Sequence, residues 1–129
     1  LLGQVVAEAS IEAPRSYAIN TYEQYIERRN CLVDELNKLP GVYSPIPMGA
    51  FYTVARLPID DSDKFCEWCL TDFEYEGETI MMAPASGFYS EEGYGKNEVR
   101  IAYAIDKQDL KRAIFLLGKA LEQYPGRVR

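Results

Sequence analysis

Apolar residues recur at three- and four-residue steps in four parts of the chain, a spacing typical of amphipathic helices with one buried face. The first of these parts lies in residues 1–13 and stops at Pro14, because proline cannot continue a helix. The second begins at Thr21-Tyr22-Glu23-Gln24, which has the form of a capping box, and ends before Pro40-Gly41. We therefore expect a short first helix followed by a long one.

Two further helices are predicted in the second half of the chain. The run Asp60-Asp61-Ser62-Asp63 suits the N-terminus of one helix, and Asp106 suits that of the other, which stops at Pro125-Gly126. The predicted apolar stripes consist of Phe65, Cys69, Leu70 and Phe73 in the third helix, and of Leu110, Ala113, Ile114, Leu117 and Leu121 in the fourth.

Short runs of β-branched and aromatic residues predict four strands, at 42–43, 50–57, 79–83 and 98–105. In the last run, large apolar side chains alternate strictly with polar or small ones, so the two faces of the predicted strand differ in character. One face carries Val99, Ile101, Tyr103 and Ile105, and the other carries Glu98, Arg100, Ala102 and Ala104. The order of elements predicts an α/β (α+β) two-layer sandwich, in which a small sheet is packed by amphipathic helices.

Composition narrows the classes of function. The 129 residues carry a net charge of -6, which disfavours binding to nucleic acids and to anionic membrane surfaces. No stretch is long and apolar enough to span a bilayer, and the opening residues lack the features of a signal peptide. The chain contains no histidine, which excludes serine-histidine and cysteine-histidine nucleophiles and the usual zinc sites. We expect a single domain over 1–129 with no metal site.

Cys66-Glu67-Trp68-Cys69 has the spacing of a redox CxxC pair. The pair lies inside a predicted helix rather than at its start, and nearby carboxylates disfavour a thiolate. We therefore expect both thiols to pack in the core. Three cysteines are also an odd number for a disulfide framework, so we expect a reduced, cytoplasmic protein.

Arg100 is the main candidate for a binding residue. It lies in the middle of a predicted strand, and the next residues on its face, Ala102 and Ala104, are small. A planar guanidinium can hold a carboxylate through two parallel hydrogen bonds. The sequence pattern also permits an arginine that faces solvent or pairs with Glu98 or another acid, and spacing alone does not separate these alternatives.

Four segments, in this order, resemble motifs of the class I/II (fold-type-I) aminotransferases, which use pyridoxal 5'-phosphate (PLP). The likeness is to the aspartate-aminotransferase-like branch and covers nearly the whole chain. One loop departs from it, since many members have Pro-Gly where this chain has Pro84-Ala85. The segments are Tyr25–Leu32, Pro47–Tyr52, Met82–Tyr89 and Gly95–Tyr103.

The resemblance implies that residues 15–129 are the C-terminal small domain of such an enzyme, and that 1–14 is a helix leading in from a missing large domain. It also implies that Arg100 binds the substrate α-carboxylate, that the domain closes over amino acid and 2-oxo acid substrates, and that the full-length protein is a homodimer. Aspartate is the expected amino donor.

The same resemblance places the lysine that binds PLP, and the other residues that hold this cofactor, before the first residue of this chain. No lysine here lies in the family's Ser-x-x-Lys context. We therefore expect no catalytic and no cofactor-binding residue in residues 1–129, and no activity of this chain alone. The alternative is a free-standing module that binds amino acids or another protein without enzymatic activity.

Overall fold

A computed structural model describes residues 1–128. Within the described residues the four helices are α1 (Leu2–Ile11), α2 (Arg15–Leu36), α3 (Ser62–Thr71) and α4 (Lys107–Gln123), and the three strands are β1 (Tyr52–Arg56), β2 (Ala83–Pro84) and β3 (Glu98–Ala102). The order of elements along the chain is α1, α2, β1, α3, β2, β3 and α4, and between β2 and β3 Ser86–Phe88 form one turn of 3-10 helix.

The three strands form an antiparallel sheet with β3 in the centre, in the order β1-β3-β2. The pairing places Ala55 opposite Val99 and Thr53 opposite Ile101 on the inner face of the sheet. Ala55 and Val99 are fully buried there. This arrangement of a small sheet and packed helices confirms the predicted α+β fold class.

Helices cover the inner face of the sheet. Helices α2 and α4 pack along each other, and α3 contacts the edge strand β2. The Tyr124 ring meets the Phe65 ring edge-on at 4.9 Å between centroids, which joins the end of α4 to α3. The helical part of the core consists mainly of Leu32 and Leu36 from α2, Phe65 and Cys69 from α3, and Leu110, Ile114, Leu117 and Leu121 from α4.

Two of the predicted helix starts are confirmed. The side chain of Asp61 accepts hydrogen bonds from the backbone N–H groups of Asp63 and Lys64 at the start of α3. Asp106 caps α4 in the same way. An aspartate cap satisfies backbone donors that have no partner within the helix, and its negative charge interacts favourably with the positive end of the helix dipole.

The predicted start of the second helix is wrong. Helix α2 begins at Arg15, directly after Pro14, and Thr21 lies in its second turn. The Thr21 hydroxyl donates to the backbone oxygen of Tyr17 at 2.8 Å, so it bonds backwards along the helix instead of capping it. No glycine or proline separates Arg15 from Thr21, and the helix therefore runs through both positions.

The predicted strands are longer than those observed. Tyr43 forms only an isolated bridge with Arg56. Strand β2 consists of Ala83, the last residue of the run at 79–83, and of Pro84, which follows it. Strand β3 ends at Ala102 because the chain then turns towards the cap of α4, which leaves Ile105 46% exposed. Leu70 is also 56% exposed and does not belong to the buried stripe of α3.

Helix α1 has no buried residue, and its apolar side chains face solvent. The first residues of α2 are likewise exposed, so residues 1–20 lie outside the core. The division of the chain at residue 14 remains a prediction.

Candidate functional site

Arg100 lies on the outer face of the sheet, opposite the helices. Its direct neighbours across the strands are Val54 in β1 and Ala83 in β2. Ala102 follows it on the same face and is exposed, as is Ala104 beyond the end of β3. The structure therefore places Arg100 in the middle of the central strand, beside small side chains, as the alternation predicts.

Two aromatic rings flank the guanidinium of Arg100. Its Cζ atom lies 5.2 Å from the centre of the Tyr52 ring and 4.8 Å from the centre of the Phe88 ring. Within residues 1–128 no carboxylate forms an ion pair with Arg100. Glu98, the acid that the sequence offered as a partner, instead accepts a hydrogen bond from the Tyr89 hydroxyl.

The loop after β2 carries Phe88 to this position. The backbone N–H of Ala85 donates to the Glu98 oxygen at 2.9 Å, and that of Phe88 donates to the Ala85 oxygen at 3.0 Å. The Ser86 hydroxyl donates to Asp63 at the start of α3. These bonds attach the loop to the central strand on one side and to a helix on the other.

Gly95 allows the returning part of this loop to pack closely. Its φ is +70°, and a Cβ atom there would lie 2.7 Å from two ring carbons of Tyr89 and 2.9 Å from the carbonyl carbon of Ala85. Since only glycine tolerates both the conformation and the contact, the fold of the loop depends on this residue.

The arrangement suits the binding of an anion with two oxygens. The Arg100 side chain is exposed and carries five N–H donors in one plane, and no acid of the described chain neutralises it. The small side chains of Ala102 and Ala104 leave one approach open. A carboxylate can therefore reach the edge of the guanidinium and accept two parallel hydrogen bonds.

Sequence reasoning missed Tyr52 and Phe88. Tyr52 was detectable in principle, since the pairing of β1 with β3 places it on the same face as Arg100. Phe88 is the last residue of a single 3-10 turn in a loop, where no periodicity shows the direction of a side chain.

The lysines of this chain do not form a site for PLP. All six are exposed or half-exposed, and Lys38, Lys107 and Lys119 pair with glutamates. Hydrogen bonds to Glu35, Glu27 and Glu122 raise the pKa of these three amines, which favours the charged form over the nucleophilic one. These three paired amines therefore do not fit the lysine that binds the cofactor.

The two thiols of the CxxC pair are buried and form no disulfide. Burial raises the pKa of Cys66 to about 11 and that of Cys69 to about 12, and the neighbouring charge of Asp63 adds to the shift at Cys66. Thiols with these pKa values are protonated at neutral pH, which agrees with core packing and disagrees with a redox role.

Two kinds of feature are absent from residues 1–128. No group of three histidine, cysteine, aspartate or glutamate side chains is placed to hold a metal ion. No helix in this part of the chain is long and apolar enough to cross a membrane.

The chain is similar in sequence to aspartate aminotransferases. It is 36% identical over 102 residues to the enzyme of Pyrococcus horikoshii, a match that covers 78% of this chain and 24% of the relative. It is 27% identical over 134 aligned positions to an aspartate aminotransferase of Rhizobium meliloti, covering 95% of this chain and 30% of the relative. The chain thus spans less than a third of these relatives. No family model matches it.

Solved structures of aminotransferases share the fold. The α-aminoadipate aminotransferase of Thermus thermophilus, solved with N-(5'-phosphopyridoxyl)-L-leucine, matches with a TM-score of 0.76 at 21% identity, over 94% of this chain and 31% of that one. An aromatic aminotransferase of Pyrococcus horikoshii matches with a TM-score of 0.69 at 26% identity, over 89% of this chain and 30% of that one.

The fold and these likenesses define the class: the chain belongs to the fold-type-I aminotransferases, as the resemblance of its motifs predicts. Within that class it is similar to the aspartate aminotransferases.

Proposed function

We propose that this chain is the C-terminal small domain of a PLP-dependent aminotransferase, which transfers an amino group between an amino acid and a 2-oxo acid. Aspartate is the proposed amino donor. A large domain outside residues 1–129 supplies the residues that hold PLP, and the full-length protein is a cytoplasmic homodimer. This chain binds the substrate α-carboxylate and closes over the substrate, and it is inactive alone.

The observation that carries the proposal is the state of Arg100. Its guanidinium is exposed on the outer face of the sheet, lies against two rings and forms no ion pair within the described residues. Amino acids and 2-oxo acids share a carboxylate next to the reacting carbon. One fixed guanidinium can therefore bind both substrates of a transamination in the same orientation.

PLP supplies an electron sink to the reaction when it is bound by the full-length protein. Arg100 contributes orientation, because a bidentate contact fixes the plane of the carboxylate as well as its distance. The exposed rings of Tyr52 and Phe88 present apolar surface beside the guanidinium, so closure of this domain would remove water from the neighbourhood of the bound carboxylate.

The substitution Arg100→Lys in the full-length protein tests the proposal. Lysine keeps the charge but loses the planar pair of donors, so we expect kcat/KM for amino acids to fall by about 10- to 100-fold. Arg56→Lys is a matched control, since Arg56 lies on the same face of the neighbouring strand β1 and contacts a single ring, that of Tyr43. The control should stay within about twofold of wild type.

A value for Arg100→Lys within about twofold of wild type, for several amino acids, would contradict the proposal. Thermal unfolding of both variants shows whether the fold survives, and we expect it to, because both side chains lie on the exposed face of the sheet.

A further inference from the structure

We propose that Tyr52 and Phe88 are positioning residues for Arg100, which hold its guanidinium between them and leave its hydrogen-bonding edge free for a carboxylate. The inference rests on the proposed function, because positioning matters only if Arg100 binds a ligand.

The two rings come from opposite sides of the central strand. Tyr52 belongs to β1 and is paired with Ala102, so it lies diagonally across from Arg100. Phe88 comes from the loop that follows β2, on the other side of β3. A guanidinium that meets a ring from each neighbouring element loses freedom to swing towards either one.

An aromatic ring and a carboxylate bind a guanidinium in different ways. The face of an aromatic ring attracts a cation through its quadrupole, and this attraction does not use the N–H donors at the edge of the guanidinium. A carboxylate partner, by contrast, accepts those hydrogen bonds and neutralises the charge. Rings alone therefore immobilise an arginine without occupying the group that a ligand needs.

Arg112 in the same chain lies near two rings as well, but its donors are bound by acids. Its guanidinium lies 5.3 Å from the centre of Phe115 and 6.0 Å from that of Tyr75. Glu76 and Glu78 both accept hydrogen bonds from it, so its donors are engaged within the fold. Arg100 has the rings and lacks the acids among residues 1–128, and this difference points to an outside ligand.

Nuclear magnetic resonance of the 129-residue chain tests the ring contacts directly. Protons above or below an aromatic ring resonate upfield, so we expect the Hδ protons of Arg100 to lie upfield of those of Arg15, which is exposed at the start of α2 and contacts no ring among the described residues. Tyr52→Leu and Phe88→Leu should each remove part of the displacement, whereas Tyr52→Phe and Phe88→Tyr should keep it.

A titration with sodium acetate, against sodium chloride at equal ionic strength, tests positioning. We expect acetate to shift the Hε resonance of Arg100 more than that of Arg15. Each leucine variant should weaken the apparent acetate affinity at Arg100 by about two- to fivefold, and the variants that keep the ring should restore it.

The possible outcomes separate the ring contacts of Arg100 from their positioning role, and both from the proposed carboxylate binding. Wild-type Hδ protons of Arg100 at the position of those of Arg15 overturn the ring contacts, and this measurement needs no variant. Displaced Hδ protons with unchanged acetate affinity in both leucine variants overturn the positioning role. Displaced Hδ protons with no response of wild-type Arg100 to acetate contradict the proposed carboxylate binding and leave the ring contacts standing.

Discussion

The hydroxyl of Tyr103 donates a hydrogen bond to the backbone oxygen of Ala50 at 2.9 Å. Ala50 has a φ of 62°, a left-handed conformation that is costly for a residue with a Cβ atom. The backbone N–H of Tyr103 also donates to the oxygen of the next residue, Phe51, at 2.8 Å. The buried Tyr103 thus holds the turn that leads into β1, and with it the start of the strand that carries Tyr52.

Tyr103→Phe should lower the free energy of unfolding by about 1 kcal/mol, because the ring still fills the core while the hydrogen bond to Ala50 is lost. Urea unfolding measures the difference. Tyr22→Phe is the control, since Tyr22 is 66% exposed and its hydroxyl has no hydrogen-bond partner among the described residues. Equal unfolding midpoints for the two variants would show that this bond does not stabilise the turn.

The buried thiols predict a loss of stability at alkaline pH. Since burial raises the pKa of Cys66 to about 11 and of Cys69 to about 12, the folded protein keeps protons that the unfolded chain releases above about pH 9. The contribution of the thiols to the free energy of unfolding is therefore retained below about pH 9. It falls up to about pH 11 for Cys66 and about pH 12 for Cys69, by at most about 1.4 kcal/mol per pH unit for each thiol.

Urea midpoints at pH 7, 9 and 10.5 measure this decline. In a variant with both Cys66→Ala and Cys69→Ala the curve should be flatter than in the wild type, whatever its starting stability. Cys31→Ala should keep the slope of the wild type, because Cys31 is only half-buried. If the urea midpoint of the double variant fell with pH as steeply as that of the wild type, the loss of stability at alkaline pH would come from groups other than these two thiols.

Removal of residues 1–13 should leave the unfolding midpoint of the remaining chain unchanged. Helix α1 has no buried residue, and Leu2 and Ile11 are 80% and 86% exposed, so its loss removes no core contact. Exposed apolar side chains favour association, and sedimentation of dilute protein should show less self-association after the deletion. A large drop in stability, or unchanged association, would be evidence against an unattached helix.

The chain alone should not bind PLP at a single lysine. Incubation with PLP, borohydride reduction and peptide mass spectrometry should give low, scattered labelling at surface positions such as Lys64, Lys96 and Lys111. The full-length protein should instead be labelled at one lysine outside residues 1–129. One stoichiometric adduct within these residues would show that this chain carries its own cofactor site.

The sequence predicted the elements whose signals are local. Caps at Asp61 and Asp106 and the apolar stripe of α4 are properties of neighbouring residues, and the structure has them. Thr21 misled because its capping pattern occurs inside a helix, and a pattern of four residues does not show whether a helix has already begun. Strand lengths were overestimated because pairing with a neighbour, and not propensity, decides where a strand ends.

The site was predicted in part for a similar reason. Strict alternation through β3 showed the face on which Arg100 lies. Its partners could not be read from that strand, because Tyr52 and Phe88 lie in distant segments and their approach depends on the pairing of β1, on the loop after β2 and on the close packing at Gly95.

The central position of β3 also determines when during folding the surroundings of Arg100 form, and with them the surface that we propose binds a carboxylate. Tyr52, Phe88 and Arg100 belong to segments far apart in the chain, so their meeting requires loop closures that are entropically unfavourable before the sheet has formed. A partly folded chain that has only its helices possesses Arg100 but not its surroundings. The proposed binding surface therefore forms and is lost together with the whole sheet, whereas melting of α1 leaves it unchanged.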